Sequence, residues 1–140
     1  MTQPRSCISL DHYRLLGRSG LRVSPLSLGT MTFGMAGWGT DYEEAEKMVG
    51  RYRELGGNFI DTANFYAQGE SERMLGRLLH DHRQQIVIAT KYSLTLRPGD
   101  PNASGNQRKN MVQAVEDSLR RLNTDYVDLL YLHLWDNRTP

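Results

Sequence analysis

The sequence lacks the features of secreted, membrane-bound or nucleic-acid-binding proteins. It contains a single cysteine, Cys7, so no disulfide can form within the chain and a reducing, cytoplasmic location is expected. It has no run of about 18 apolar residues, which a transmembrane helix would require. The 17 basic and 16 acidic side chains leave a net charge of +1, far from the basic surface that nucleic-acid binding needs. We therefore expect no membrane partner and no nucleic-acid partner.

The composition is that of an ordinary globular domain. The chain has 140 residues, of which 39% are hydrophobic, enough for one domain with its own core. Residues 1–11 lack the apolar stretch of a signal peptide and read as a disordered tail in which Cys7 is an inert thiol. The predicted domain covers residues 12–140.

Strand and helix patterns alternate along that domain. A small hairpin comes first, with strands at 13–16 and 21–23 around a turn at 17–20. The order strand-helix, strand-helix, strand-helix, strand then follows, which is typical of a parallel α/β sheet. The predicted strands are 26–28, 58–61, 86–91 and 126–132, and the predicted helices are about 41–55, 71–80 and 106–122, with a long loop at 93–105.

Helical spacing of apolar residues predicts which face of each helix is buried. The first helix, capped by Thr40 or Asp41, has its apolar residues at Ala45, Met48, Val49, Tyr52 and Leu55. The third helix has its apolar residues at Val112, Val115, Leu119 and Leu122.

Four polar side chains follow or end the predicted strands. Asp61 ends one strand, Tyr66 lies on the loop beyond it, Lys91 ends the next strand, and His133 follows the last. Because parallel strands of this class carry their sites at the carboxyl ends, we expect these groups to share a pocket. They are the parts of a proton-transfer site. An ammonium about 4 Å from the phenol would favour the phenolate by up to roughly 4 kcal/mol at an effective dielectric constant of about 20.

Each of these residues alone has an ordinary structural interpretation. Asp61 could cap a loop, Tyr66 could be a packed aromatic, Lys91 a solvated strand end and His133 a buried histidine. A metal-dependent barrel hydrolase using Asp61 and His133 is a further alternative. It lacks a nearby His-x-His or a second carboxylate in register.

Several motifs, in order, resemble those of the aldo-keto reductases. They are Gly57-Asn58-Phe59-Ile60-Asp61-Thr62-Ala63-Asn64-Phe65-Tyr66, then Gly69-Glu70-Ser71-Glu72-Arg73-Met74-Leu75-Gly76, then Ile88-Ala89-Thr90-Lys91, then 114–122 and 125–133. One departure is Ala67, which stands where the family commonly has glycine. We expect its methyl to be tolerated if φ is negative.

The resemblance implies an eight-stranded (β/α) TIM barrel that reduces aldehydes or ketones with NADPH. Asp61, Tyr66, Lys91 and His133 would be its catalytic residues. The cofactor would lie near Gly29, Thr30, Met31 and Asp61, and a small carbonyl substrate would contact Tyr66, His133 and Trp135. No metal is implied.

The length does not suit a whole barrel. A complete barrel needs about 250 residues, so the chain corresponds to the hairpin and about four of eight β/α units, as a fragment or a truncated form. The alternative is a non-catalytic half-barrel that acts as a binding or assembly module. In either case the apolar edge of the fourth strand, 126–131, is the expected place for self-association or for the missing C-terminal half.

Overall fold

A computed structural model describes residues 9–140. Cys7 and the first eight residues of the predicted tail lie outside the described residues. The strands are β1 (Arg14–Leu15), β2 (Arg22–Val23), β3 (Leu28–Gly29), β4 (Phe59–Asp61), β5 (Val87–Tyr92) and β6 (Leu129–Leu132), and the helices are α1 (Tyr42–Glu54), α2 (Glu70–Leu78) and α3 (Arg108–Leu122).

Strands β1 and β2 form the predicted antiparallel hairpin, with Arg14 opposite Val23. The turn between them needs two glycines, because Gly17 and Gly20 both have positive φ, +57° and +79°. The hairpin is joined to the sheet by Asn58, whose side-chain amide donates to the Arg22 carbonyl at 3.0 Å.

The remaining strands form one parallel sheet in the order β3-β4-β5-β6. Leu28 pairs with Ile60, Ile60 with Ile88, and Ala89 with Leu129. The sheet order therefore follows the chain order, which confirms the predicted βαβ arrangement. All four strands point their carboxyl ends to the same rim.

The core lies between the sheet and the helices. Asp41 caps α1, with its carboxylate accepting from the Glu44 backbone N–H at 2.9 Å, as predicted. The core cluster is apolar and continuous, and its largest fully buried members are Phe33, Ile60, Met74, Leu75, Leu79 and Ile88. Within the described part of the chain, none of the helices is long and apolar enough to cross a membrane.

Two predictions about α1 and the chain before it are wrong. Leu10, placed in the predicted tail, is buried in the core, and its backbone N–H donates to the Leu55 carbonyl at 2.7 Å. Met48, predicted to be buried, is 43% exposed. The buried face of α1 is narrower than the apolar stripe, since Ala45, Val49 and Tyr52 already cover the sheet.

The prediction for the buried face of α3 is confirmed for Leu122 and wrong for Val112. Its buried residues are Asn110, Ala114, Ser118 and Leu122, whereas Val112 is exposed. Small side chains allow close packing here: a Cβ on Gly76 of α2 would lie 2.7 Å from the Arg121 carbonyl. The small residues Ala114 and Ser118, rather than Val112, therefore lie on the buried face of α3.

Strand β6 begins three residues later than predicted. The chain before it is held by Arg83, which donates to the Tyr126 carbonyl at 3.0 Å and to the Asp128 carboxylate at 2.9 Å. Among residues 9–140, β6 pairs only with β5.

Candidate active site

One ammonium group lies at the centre of the rim formed by the carboxyl ends of the strands. Lys91 Nζ donates to Asp61 Oδ2 at 2.6 Å, to the Thr62 carbonyl at 2.8 Å and to Tyr66 Oη at 2.9 Å. An ammonium has three protons to donate, so all of them are used. The side chains of Lys91 and Asp61 are only 15% and 27% exposed.

Strand register explains why the ammonium and the carboxylate meet. Asp61 is opposite Ala89 on the neighbouring strand. Lys91 is two residues beyond Ala89, and side chains two residues apart point to the same face of a strand. Both groups therefore point to the same side at adjacent strand ends.

Tyr66 reaches the ammonium from a strained turn. Residues Ala67 and Gln68 have left-handed backbone, with φ of 48° and 58°, and Gly69 follows at 85°. The condition under which the Ala67 methyl was expected to be tolerated, a negative φ, is therefore not met. The left-handed turn folds the chain back at the start of α2, and the phenol oxygen lies 2.9 Å from Lys91 Nζ.

His133 completes the group of four. Its ring meets the Tyr66 ring edge-on, with centroids 5.7 Å apart. Its backbone N–H donates to the Tyr92 carbonyl at 2.9 Å, which fixes it at the end of β6. Burial, and then the nearby charge of Lys91, lower the pKa of the imidazole, against an opposing effect of Asp61. The ring is thus neutral at pH 7.

The surroundings of Nδ1 favour one tautomer of His133. Nδ1 is buried and has no hydrogen-bond partner among residues 9–140. The tautomer with its proton on Nε2 avoids burying an unpaired N–H at Nδ1.

The phenol and the imidazole line a pocket of about 620 Å³. The rest of its wall is mostly apolar and includes Met31, Met35, Phe65 and Leu94. A mainly apolar cavity of this size with a few converging polar groups is typical of small-molecule sites.

The residues predicted to contact the cofactor differ in whether they are exposed at the rim. Asp61 and Met31 lie at the rim, and a Cβ on Gly29 would meet nothing within 4 Å, so open space adjoins the end of β3. Thr30 is fully buried and its hydroxyl is bonded inward. The predicted cofactor contact of Thr30 does not fit this geometry, because no surface of the residue is exposed.

Trp135 does not lie in the pocket. Its side chain is 86% exposed, and it borders a separate groove formed with residues 101–107. The chain after His133 is held there by Asp136, which accepts from the Asn106 backbone N–H at 2.9 Å. The predicted contact of Trp135 with substrate is therefore not supported by this geometry.

Several pocket residues were missed by sequence reasoning. Phe65 directly precedes Tyr66 and Leu94 lies in the predicted loop 93–105, yet an apolar side chain on a loop gives no pattern of its own. Met35 lies in the glycine-rich segment 31–39, where spacing carries little structural information. No group of three or more metal-binding side chains occurs within residues 9–140.

A model of the aldo/keto reductase family matches residues 25–140, which include all four polar side chains of the site. The chain belongs to the aldo/keto reductase family. It is 42% identical to a norsolorinic acid reductase of Aspergillus flavus, over 99% of this chain and 39% of that protein. It is 41% identical to an aryl-alcohol dehydrogenase of Pestalotiopsis microspora, over 99% of this chain and 38% of that protein.

Solved aldo-keto reductases have the same fold. A structure from Pseudomonas aeruginosa assigned to this family superposes with a TM-score of 0.79 at 37% identity, over 92% of this chain and 50% of that one. The holo form of an aldo-keto reductase from Bacillus halodurans gives 0.75 at 40% identity, over 86% of this chain and 39% of that one. These neighbours are (β/α)8 barrels, so the chain has the fold of part of such a barrel. It spans about two fifths of the length of the curated relatives named here.

Proposed function

We propose that this chain is the catalytic N-terminal part of an NADPH-dependent reductase that converts aldehydes or ketones to alcohols, with Tyr66 as the proton donor. The observation that carries the proposal is the bonding of one ammonium to both a carboxylate and a phenol. Lys91 Nζ lies 2.6 Å from Asp61 Oδ2 and 2.9 Å from Tyr66 Oη, at the wall of an apolar pocket.

The four side chains have complementary roles. A carbonyl group that accepts a hydride develops negative charge on oxygen, and Tyr66 supplies the proton that neutralises it. Lys91 stabilises the phenolate that remains, and Asp61 keeps Lys91 charged and oriented. His133, neutral and with its proton on Nε2, donates a hydrogen bond to the same oxygen and orients the substrate.

The rim fits the nicotinamide end of the cofactor. Open space adjoins Gly29, and Met31 is 48% exposed beside the pocket. Asp61 Oδ1 accepts no hydrogen bond from the described residues, whereas Oδ2 is used by Lys91, so Oδ1 is available to a ribose hydroxyl. When bound, NADPH supplies the hydride. Residues for its phosphates and adenosine are expected beyond the part of the family fold that this chain covers.

The pocket wall favours an apolar or aromatic carbonyl compound. Met31, Met35, Phe65 and Leu94 offer a polarisable, apolar surface, on which an aromatic ring is well accommodated. The names of the relatives, a norsolorinic acid reductase and an aryl-alcohol dehydrogenase, are consistent with such a substrate.

The test is carbonyl-dependent oxidation of NADPH, followed by absorbance with aromatic and short aliphatic aldehydes. We expect turnover that is faster with the aromatic aldehydes. Asp61→Asn should reduce it at least about 100-fold, the scale of a lost general acid–base contribution, whereas the exposed Asp125→Asn should not. Turnover that survives Asp61→Asn would contradict the proposed role of the ion pair, and the absence of turnover in a complete barrel that contains this chain would contradict the function.

A second candidate, an assembly module, is favoured by the open edge of β6. On this strand Leu130, Tyr131 and Leu132 are 37%, 38% and 60% exposed, and no described strand pairs with its outer edge. Such an edge is a template for another strand. We propose that it is covered by another chain or by further barrel strands. Sedimentation of the purified chain should show association that Leu132→Lys weakens, and a monomer at all concentrations would contradict self-association.

A further inference from the structure

The first turn of α2 contains two polar residues that are completely buried. Ser71 and Glu72 are both 0% exposed, although they lie on the side of the helix that carries Met74 and Leu75. Buried polar groups are costly unless they are hydrogen-bonded. Neither residue belongs to the four catalytic side chains, so their bonding partners indicate why they are there.

Ser71 bonds to the ends of two neighbouring strands. Its Oγ donates to the Thr30 carbonyl at 2.9 Å and lies 2.8 Å from Thr30 Oγ1 and 3.0 Å from Thr62 Oγ1. Thr30 Oγ1 in turn donates to the Asp61 carbonyl at 3.1 Å. One arrangement uses every hydroxyl proton: Thr62 donates to Ser71, Ser71 to the Thr30 carbonyl, and Thr30 to the Asp61 carbonyl.

This hydroxyl cluster (Thr30, Thr62 and Ser71) is linked to the ammonium site through Asp61 and Thr62. It holds the main chain of Asp61 and Thr62 from the buried side. The same two residues supply two of the three acceptors of Lys91, the Asp61 carboxylate and the Thr62 carbonyl. Any movement of this main chain would therefore change the position of the ammonium.

Glu72 holds the neighbouring strand, β5, in a similar way. Its Oε1 accepts from Thr90 Oγ1 at 2.6 Å, and its Oε2 accepts from Arg121 Nε at 2.6 Å. Thr90 immediately precedes Lys91. Consecutive residues of one helical turn thus hold the strand that supplies the acceptors and the strand that supplies the ammonium.

We propose that Ser71 and Glu72 are positioning residues that hold Lys91 Nζ within hydrogen-bond distance of Asp61 and Tyr66. They contact neither pocket nor substrate and act through Thr62 and Thr90. The catalytic consequence rests on the proposed reductase function, whereas the effect on the Lys91 ammonium does not, so the two can be tested apart.

The direct readout is the ammonium resonance of Lys91 in protein labelled with 15N-lysine. The sequence has only three lysines, Lys47, Lys91 and Lys109, so Lys91→Arg assigns the signal. Three hydrogen bonds and low exposure should slow proton exchange at Lys91 relative to the other two. Ser71→Ala and the isosteric Thr90→Val should each accelerate that exchange at least about fivefold, and the double variant should accelerate it further.

The matched control is Ser24→Ala. Ser24 is also a buried serine, 3% exposed, but its hydroxyl donates to the Leu26 carbonyl at 2.9 Å and accepts from the Asn58 backbone N–H at 3.3 Å, at the amino end of β4 and away from Lys91. This control should lower stability without accelerating exchange at Lys91. If Ser71→Ala does not fold, Thr62→Val removes the same hydroxyl contact with almost no change in shape.

Activity adds a second readout. Where wild type turns over, Ser71→Ala and Thr90→Val should lower kcat more than tenfold while KM changes less than twofold, because they leave the pocket wall intact. Exchange at Lys91 that is unchanged in Ser71→Ala, Thr62→Val and Thr90→Val, or accelerated equally by Ser24→Ala, would overturn the positioning proposal. Accelerated exchange in a chain without any turnover would keep the positioning role and count against the reductase function instead.

Discussion

The two ends of the parallel sheet carry clusters built from the same three kinds of residue. At the carboxyl ends of the strands, Lys91 bonds to Asp61 and to Tyr66. At the amino ends, Arg83 bonds to Asp128 at 2.9 Å and stacks on Tyr126, with its guanidinium carbon 3.8 Å from the ring centroid. The first cluster joins β5 to β4. The second joins the segment before β5 to the segment before β6.

The difference lies in what each tyrosine offers. Tyr126 presents its ring face to the arginine, a cation–π contact that leaves the phenol oxygen out of the cluster. Tyr66 presents its oxygen to the lysine at 2.9 Å and opens into the apolar pocket. The planar guanidinium of Arg83, with its N–H donors in a fixed arrangement, suits a permanent structural contact. The compact ammonium of Lys91 suits a site where a neighbouring group gains and loses charge.

Cation, carboxylate and tyrosine therefore do not by themselves make a site. The upper cluster, at the carboxyl ends, turns its phenol oxygen to the wall of the mainly apolar pocket. The lower cluster, at the amino ends, borders a more polar groove of about 870 Å³, and its cation bonds two main-chain carbonyls, Ile86 at 2.8 Å and Tyr126 at 3.0 Å. The comparison agrees with the general rule that barrels place chemistry at the carboxyl ends of strands and stability at the other end.

The largest effect is expected from Lys91→Met in the upper cluster. It removes the charge that stabilises the phenolate, so carbonyl-dependent NADPH oxidation should fall about 10²- to 10⁴-fold. A urea melt followed by circular dichroism should still show a cooperative transition. A loss of activity below tenfold would mean that the ammonium does not support the proton donor.

The counterpart in the lower cluster is Arg83→Met, and it should act on stability. The side chains of Arg83 and Asp128 are 11% and 19% exposed, and leaving a largely buried carboxylate without its partner costs about 3 kcal/mol. The urea midpoint should fall accordingly. Turnover per folded molecule should stay within about twofold. A strong loss of turnover at full folding would remove the contrast between the two ends.

The free energy of unfolding should depend on pH through His133, which belongs to the site at the carboxyl ends of the strands. Burial and Lys91 lower the pKa of this imidazole in the folded state, so the unfolded chain binds its proton first as the pH falls. Stability is complete above the unfolded value near 6.5 and is lost as the pH falls from there toward the folded value. Unfolding free energies measured from pH 7.5 to 5 should fall, and His133→Gln should reduce that slope.

The same lowered pKa makes a prediction about rate. Because its pKa is lowered, His133 is protonated at lower pH than an ordinary histidine, so the acidic decline of kcat/KM should lie below the usual histidine range. A decline centred above pH 7 that disappears in His133→Gln would show that the imidazole is charged in the resting site.

The smallest effect is expected at the strained turn. Ala67 has φ of 48°, which costs an alanine roughly 1 kcal/mol more than a glycine. Replacing the alanine by glycine removes this strain, but glycine also has greater freedom in the unfolded chain, which reduces the gain in stability. Ala67→Gly should therefore stabilise the protein by about 0.5 kcal/mol. The matched change at the other end of the sheet is Gln84→Gly. Gln84 has no positive φ, so this change should destabilise instead.

Much of this fold follows from pattern, and the exceptions have identifiable causes. The parallel order and the convergence of Asp61, Lys91 and His133 follow from strand periodicity and from the common rim. Part of the buried face of α3 was missed because Ala114 and Ser118, which allow close packing, carry no apolar signal, while Val112 does. Packing distance between helices cannot be read from hydrophobic spacing alone.

The sequence contains a signal for the two positioning residues in α2. Ser71 and Glu72 fall in register with Met74 and Leu75, so a polar pair on an apolar stripe marks buried hydrogen bonding in advance. Their partners could not be foreseen, because Thr30 and Thr90 come from distant segments. Trp135 was misplaced for a similar reason, since the path of the chain after β6 depends on Asp136 and Asn106.

The most direct test compares the two tyrosines by pre-steady-state reduction of an aromatic aldehyde, with NADPH fluorescence as the signal. Tyr66→Phe removes the oxygen that Lys91 bonds, and Tyr126→Phe removes an oxygen that the lower cluster does not use. We expect at least a 100-fold slower reduction for Tyr66→Phe and a rate within about twofold of wild type for Tyr126→Phe. Equal rates for the two variants would contradict the assignment of Tyr66 as the proton donor.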